Sequence, residues 1–211
     1  MIIVNDIEQG SPEWFAARAG VPSASCFDKI VTSKGVRSKS RKDYLYTLAG
    51  ERILGTKAET FQSAAMERGI EMEEEARLFY ELTSGVEVQQ VGLVYRNDKK
   101  LFSCSPDGLM GNKGIEIKCP SLHTHVGYLL ADKLPTKYVQ QVQGSMLVTG
   151  FDSWVFMSYY PGMPTLIIEV ERDADFCGKL AVELGSFCID LEEITKKLTS
   201  LEETNKQIRD I

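Results

Sequence analysis

The chain has 211 residues, of which 43% are hydrophobic and 26% charged, with a formal net charge of −6. This length suits one globular domain, and no window approaches the roughly 20 apolar residues that a membrane-spanning helix needs. The N-terminal residues carry acids where a secretory signal carries bases, and the five cysteines form no CxxC pair. We therefore expect a single domain over residues 1–211, in the cytoplasm, with free thiols and no membrane association.

Hydrophobic periodicity and turn residues predict alternating groups of helices and strands. Helices are expected at 24–32, 41–54 and 60–82, then strands at 86–95, 101–105 and 114–119, helices at 121–131 and 136–148, strands at 153–160 and 165–171, and a C-terminal helix and tail at about 173–211, helical to 198 and frayed over its last ten residues. This order indicates an α/β fold in which helices flank a mixed central sheet.

Charge is unevenly distributed along the chain. Residues 29–57 contain eight bases and two acids, whereas residues 169–211 contain eleven acids and six bases. A basic segment and an acidic tail are compatible with one face that meets DNA and another that faces solvent or a partner. A solvated charged face is the simpler interpretation of this feature alone.

Two carboxylates and an ammonium are expected to converge near residue 116. Glu116 and Lys118 are two apart on a predicted strand, so their side chains share a face. Asp107 ends the predicted preceding strand, and the connection Gly108–Lys113 lets it fold back beside Glu116. Carboxylate oxygens suit Mg²⁺, which promotes phosphodiester hydrolysis, and Lys118 could orient or deprotonate water or hold transition-state charge. A surface hairpin with a chance Glu-x-Lys pair is the alternative.

A zinc site is also conceivable on residues near this strand. Cys119, His123 and His125 form a local cluster of zinc-ligand types, but it lacks a fourth ligand at usable spacing. Magnesium is therefore the expected metal.

The segments Ser105-Pro106-Asp107-Gly108 and Glu116-Ile117-Lys118 spell the signature of the PD-(D/E)XK nuclease superfamily, whose core is restriction-endonuclease-like. More specifically, the chain resembles the phage lambda exonuclease family of alkaline exonucleases over residues 8–171. The resemblance rests on four stretches in the same order, at 14–25, 69–77, 104–120 and 138–146.

This resemblance implies a Mg²⁺-dependent, ATP-independent exonuclease that degrades the 5′-ended strand of duplex DNA and leaves 3′ tails for recombination. The implied metal ligands are Asp107, Glu116, the Ile117 carbonyl and, at a second metal ion, Glu73; Mn²⁺ is expected to substitute. Lys118 would serve the nucleophilic water. A ring-shaped homotrimer and a single-strand annealing partner, in a phage or prophage system, are implied in the same way.

The resemblance also implies a pocket for the terminal 5′-phosphate. Its matching residues are Arg18, Ser25, Ser105 and Gln143, with Gln141 in support; these donors suit a phosphate. Gln141 and Gln143 lie two apart on a predicted helix, so at most one is expected to touch the site, and Gln143 is preferred.

The chain departs from the phage lambda enzyme in three places, and two alternative functions stay open. The basic loop at 34–42, a shorter turn after Asp107 and the C-terminal helix differ from the phage lambda enzyme, which affects DNA-track contacts and oligomer interfaces. The same fold could instead serve an endonuclease or a RecB-like nuclease module. A non-catalytic DNA-binding scaffold is a further alternative, which the complete Asp/Glu/Lys set disfavours.

Overall fold

The computed structural model of the chain describes residues 1–58 and 64–209. Its elements are β1 (Ile2–Val4), α1 (Pro12–Arg18), a 3₁₀ helix (Ala24–Lys29), α2 (Arg41–Leu54), α3 (Ala64–Ser84), β2 (Leu93–Tyr95), β3 (Ser103–Cys104), β4 (Gly108–Met110), β5 (Lys113–Lys118), α4 (Leu122–Ala131), a second 3₁₀ helix (Thr136–Tyr138), α5 (Val139–Thr149), β6 (Ser153–Ser158), β7 (Leu166–Glu171) and α6 (Ala174–Arg209).

The strands form two sheets. In the four-stranded sheet, in the order β4-β5-β6-β7, the β5–β6 pair is parallel and the other two pairs are antiparallel, as expected for a mixed sheet. The parallel pair requires a crossover, which α4 and α5 provide. The other three strands form an antiparallel sheet in the order β1-β2-β3, and an isolated bridge pairs Gln89, which precedes β2, with Leu109 of β4.

Local sequence signals explain where several helices begin and end. The Ser11 hydroxyl accepts a hydrogen bond from Trp14 N at 3.2 Å, and Pro12 occupies the first turn of α1. At the C-terminal ends of α2 and α5, Gly55 and Gly150 have φ values of +67° and +82°, which favour glycine.

Two apolar clusters hold the elements together. The larger one joins the 3₁₀ helix, α2, α5 and α6 and includes Phe27, Leu48, Met146, Leu184 and Phe187. The smaller one packs α3 against β5 and β6. α5 approaches the first 3₁₀ helix closely because Gly144 has no side chain; a Cβ there would lie 2.4 Å from the Phe27 ring.

Several boundaries differ from the predicted ones. β1 and α1 were not predicted, the segment 24–29 is a 3₁₀ helix, and the predicted strand 86–95 is extended only at Leu93–Tyr95. The C-terminal helix continues to Arg209, so its predicted end at 198 is wrong. Residues 60–63 of the predicted helix 60–82 and residues 210–211 of the tail lie outside the described residues.

The basic segment and the C-terminal helix pair with each other instead of facing different surroundings. Arg41 Nη2 lies 2.7 Å from Asp190 Oδ2, and Arg37 and Arg52 form ion pairs with Glu183 and Glu192 on α6. Lys57 also forms an ion pair with Glu51, so four of the eight bases are partly neutralised within the fold and are less available to DNA than the sequence suggested.

In the described part of the chain, no helix is both long enough and apolar enough to cross a membrane.

Candidate active site

Strand β5 places Glu116 and Lys118 on one face, as their spacing predicts. Lys118 Nζ forms an ion pair with Glu116 Oε1, and Glu116 is only 1% exposed. Ile115 and Ile117 belong to the apolar cluster beneath α3. Strand β5 therefore carries the Glu116–Lys118 ion pair on one face and apolar side chains packed against α3 on the other.

Asp107 reaches the pair from a different position than predicted. It does not end the preceding strand; it comes immediately before β4, which pairs antiparallel with β5. Its Oδ2 accepts a 2.6 Å hydrogen bond from Ile117 N, the amide between Glu116 and Lys118. The next residue, Gly108, lets the start of β4 pack against Val88, because a Cβ there would lie 2.0 Å from Val88 Cγ1.

Among the clustered acids of α3, Glu73 is the one that faces the site. Glu71, Glu74 and Glu75 are exposed, whereas Glu73 is half-buried. Burial, together with the negative charges of Asp107 and Glu116, raises the pKa of Glu73 to about 8. The sequence alone could not distinguish these neighbours; the packing of α3 on β5 does.

The site concentrates negative charge that the protein does not fully compensate. Burial and the charge of Asp107 raise the pKa of Glu116 to about 7, against the opposing effect of Lys118. Burial also raises the pKa of Asp107. Burial acts to lower the pKa of Lys118, but the adjacent Glu116 and Asp107 outweigh it and hold that pKa above its ordinary value.

A divalent cation fits this donor set. The Oε2 atom of Glu116 is buried without a hydrogen-bond partner in the described part of the chain, which is costly unless a ligand satisfies it. Hard carboxylate oxygens are the ligands that Mg²⁺ prefers. Within residues 1–58 and 64–209, no group of three His, Cys, Asp or Glu side chains is placed to hold a metal ion as it stands, so the assignment of Asp107, Glu116 and Glu73 as metal ligands stays a prediction.

Gln141, on α5, contacts the carboxylate of Glu116. Its Nε2 donates a 2.5 Å hydrogen bond to Glu116 Oε1. Gln143 lies elsewhere: its Nε2 donates to Glu171 O and its Oε1 accepts from Asp173 N, each at 2.9 Å. Only one of the two glutamines touches the carboxylates, as expected. The amide of Gln143 links β7 to the start of α6, so these contacts do not support the preference for Gln143 as the residue that touches the site.

Arg18 lies in a second polar cluster, with no acidic partner among the described residues at ion-pair distance. Its Nη2 donates to the hydroxyls of Ser23 and Ser25 at 3.1 and 3.2 Å, and its guanidinium lies 4.0 Å from the centre of the Trp14 ring. The side chain is largely buried, which lowers its pKa. A buried cation held by hydroxyls and an aromatic face is complementary to an anion.

The segment 103–107, which runs from β3 to the start of β4, connects this cluster to the carboxylates. Ser103 pairs with Ser23, and Ser103 and Ser105 both have buried hydroxyls without a partner in the described part of the chain. Asp107 is four residues beyond Ser103, at most about 14 Å along the chain. Ser23 and Ser103 were not predicted to belong to this cluster. Ser103 could have been found, because it lies two residues before Ser105 on the predicted strand 101–105 and so shares a face with it.

The residues considered for zinc have other roles. His125 is fully buried, and its ring nitrogens contact Ser158 Oγ at 2.8 Å and Pro164 O at 2.9 Å. His123 contacts the hydroxyls of Ser121 and Thr124 near the surface.

The chain is similar to a known family and to several solved structures. The model of the YqaJ-like viral recombinase domain matches residues 13–152. An alkaline exonuclease from Laribacter hongkongensis has 33% identity and a TM-score of 0.83 over 92% of this chain and 99% of its own, and its complex with dAMP gives 0.82 over the same shares. A phage-related exonuclease from Haemophilus somnus, at 15% identity, shares the fold over 84% of this chain and 96% of its own, with a TM-score of 0.66. Comparison with curated proteins gives no match.

The fold and the site define a nuclease of the alkaline exonuclease class, a deoxyribonuclease. The chain belongs to the YqaJ-like viral recombinase family.

Proposed function

We propose that the protein is a Mg²⁺-dependent, ATP-independent exonuclease that degrades duplex DNA in the 5′→3′ direction. It releases 5′-mononucleotides and leaves 3′ single-stranded tails. In this proposal the tails serve a phage or prophage recombination pathway in the bacterial cytoplasm, together with a single-strand annealing protein. Mn²⁺ can replace Mg²⁺, and two ions occupy the site.

The observation that carries the proposal is the buried Oε2 of Glu116, which lies beside Asp107 and Lys118 and has no hydrogen-bond partner within the described ranges of the chain. Two carboxylates in this position need a cation, and a lysine beside them can assist hydrolysis of a phosphodiester. Asp107, Glu116, the Ile117 carbonyl and Glu73 would hold the metal. When bound, Mg²⁺ supplies the positive charge that offsets negative charge developing on the phosphate and the leaving oxygen.

The chain's own residues orient the reactants. Gln141 and Lys118 both contact Oε1 of Glu116, and the Ile117 amide donates to Asp107, so the carboxylates are preorganised. As a cation, Lys118 is a donor that orients the attacking water and stabilises transition-state charge.

Direction follows from the cluster around Arg18. We propose that Arg18, Ser25 and Ser105 bind a terminal 5′-phosphate, with Ser23 and Ser103 as further hydroxyls. The short chain segment from Ser103 to Asp107 supports a phosphate pocket close to the scission site. Gln143 could contribute only in addition to its contacts with residues 171 and 173. A homotrimeric ring, which the family resemblance implies, would keep the enzyme on one strand.

Strand-resolved digestion tests this proposal. Linear duplexes labelled at either the 5′ or the 3′ end of one strand are incubated with the enzyme and Mg²⁺, without ATP. Immediate release of the 5′ label as a mononucleotide, with the 3′ label retained in a shortening strand, is expected. Early loss of the 3′ label would overturn the polarity.

Covalently closed circular DNA distinguishes the other nuclease functions. The proposed exonuclease leaves it intact, whereas an endonuclease or an endonucleolytic module cuts it. The absence of any hydrolysis on linear and circular DNA would instead favour a non-catalytic role.

A further inference from the structure

Tyr138 lies next to the catalytic ion pair and brings a second lysine to it. Lys118 Nζ is 5.7 Å from the centre of the Tyr138 ring, and Lys137 Nζ is 4.8 Å from the same centre. The ring also packs 5.2 Å from Phe156, which pairs in register with Glu116. Lys137 is therefore close to the reacting centre, although it lies on a 3₁₀ turn outside the sheet.

The position of Lys137 is restrained by two aromatic rings. Its Nζ lies 5.5 Å from the centre of the Tyr128 ring on α4, and Tyr128 and Tyr138 meet edge to face at 6.3 Å. The electron-rich faces of aromatic rings attract a cation and favour positions above the ring. The ammonium is thus held at the junction of α4 and α5 even though the residue is exposed.

The two lysines differ in their charge balance. Lys118 is paired with Glu116, whereas Lys137 has no acidic side chain at ion-pair distance among the residues that the structure describes. A restrained cation without a counter-charge beside a nuclease site is complementary to a phosphate.

We propose that Lys137 binds a backbone phosphate of the DNA strand being cleaved, adjacent to the scissile phosphate. The proposal rests on the proposed function, because it uses the same DNA and the same site. It assigns Lys137 a role in substrate binding, while Lys118 acts on the reacting phosphate itself. Tyr128 and Tyr138 position the ammonium.

DNA binding without cleavage tests this subsite. Fluorescence anisotropy measures the affinity for a 5′-phosphorylated duplex in EDTA between 50 and 200 mM salt, for the wild type, Lys137→Gln and Lys133→Gln. Lys133 is exposed in the same α4–α5 connection and is the matched control. Lys137→Gln is expected to bind several-fold more weakly, with a salt slope smaller by about one, while Lys133→Gln binds as the wild type does.

Two further variants separate binding from packing. Lys137→Arg keeps the charge and should retain most of the affinity, whereas Tyr138→Leu removes the restraining ring and should lose it. In turnover with Mg²⁺, Lys137→Gln should raise KM with little change in kcat. Wild-type affinity and salt slope in Lys137→Gln, with or without a lower Tm, would overturn the subsite.

This outcome is separable from the proposed function. If the wild type fails to hydrolyse DNA, the proposed activity is wrong, but the binding measurement still decides the role of Lys137. If the wild type is active and Lys137→Gln binds normally, only the subsite is wrong.

Discussion

Gln141 Nε2 donates a 2.5 Å hydrogen bond to Glu116 Oε1, so α5 directly contacts the carboxylate that the fold buries most deeply. The same oxygen accepts from Lys118. Two donors therefore orient Oε1 of Glu116, while Oε2 has no hydrogen-bond partner among the described residues and is available to a ligand.

Replacing Gln141 should impair catalysis more than folding. Gln141→Ala removes the donor that orients Glu116 and is expected to lower kcat by about tenfold or more, since a hydrogen bond to a charged group contributes about 1.5–3 kcal/mol. Gln143→Ala, two residues along α5, removes contacts to residues 171 and 173 and should mainly lower the free energy of unfolding. Steady-state kinetics and urea unfolding of both variants measure the two effects. The reverse pattern would place Gln143 at the site.

Arg18 should determine the preference for phosphorylated ends. Arg18→Lys keeps a positive charge but loses the planar fork that contacts Ser23 and Ser25. We expect the ratio of initiation rates on 5′-phosphate and 5′-hydroxyl ends to fall by about tenfold, which corresponds to about 1.4 kcal/mol. Arg37→Lys, which alters a surface ion pair with Glu183, is the control. An unchanged ratio in Arg18→Lys would reject the phosphate pocket.

The clustered carboxylates should make the metal-free protein less stable as pH rises. The pKa of Glu73 is raised to about 8 and that of Glu116 to about 7. A raised carboxyl pKa in the folded state favours the protonated form, so the stabilisation is complete below the unfolded pKa and is lost as pH rises through the folded one. In EDTA, Tm should fall between about pH 5 and pH 9 by more in the wild type than in Glu73→Gln.

Glu71→Gln is the control for this pH experiment, because Glu71 is exposed on the same helix. It should keep the wild-type dependence of Tm on pH. Equal curves for the wild type and Glu73→Gln would show that Glu73 does not approach Asp107 and Glu116 as described.

Tyr159 should stabilise the packing of α3. Its hydroxyl donates a 2.6 Å hydrogen bond to Glu75 Oε1, and its backbone N donates to Lys118 O at 2.9 Å, so it joins α3 to the end of β5. Tyr159→Phe should lower the free energy of unfolding by about 1 kcal/mol. Tyr160→Phe, whose ring contacts His125 and Arg68, is the matched control and should change it little.

A double-mutant cycle isolates this hydrogen bond. Tyr159→Phe and Glu75→Ala should be strongly non-additive, because each removes one partner of the same contact. Additive effects on the free energy of unfolding would mean that the hydroxyl does not act through Glu75.

The sequence predicted the parts of the site that depend on local geometry. The two-residue period of a strand was enough to place Glu116 and Lys118 on one face. The prediction placed Asp107 near these two residues, but at the end of the preceding strand. It lies immediately before β4, which was not predicted because it has only three residues and begins at a glycine. Short strands are specified by pairing with neighbours, which local patterns do not reveal.

Long-range packing decided the remaining features. Glu73 differs from Glu71, Glu74 and Glu75 only through the face that α3 buries, and Gln141 differs from Gln143 only through the rotation of α5. Missing α1 was a different kind of error, since Ser11 and Pro12 already carried the helix-start signal. The pairing of Arg41 with Asp190 across 149 residues could not be predicted from charge counts.

The rate at which 5′-mononucleotides are released from a 5′-phosphorylated duplex in Mg²⁺, compared between the wild type, Asp107→Asn, Lys118→Ala and Lys113→Ala, tests the central claim most directly. Lys113 lies on the same strand but pairs with Glu169 at the surface. We predict that Asp107→Asn and Lys118→Ala lose about 10²–10⁴-fold in rate while Lys113→Ala stays near the wild type. Comparable rates for all four proteins would contradict the assignment of this site.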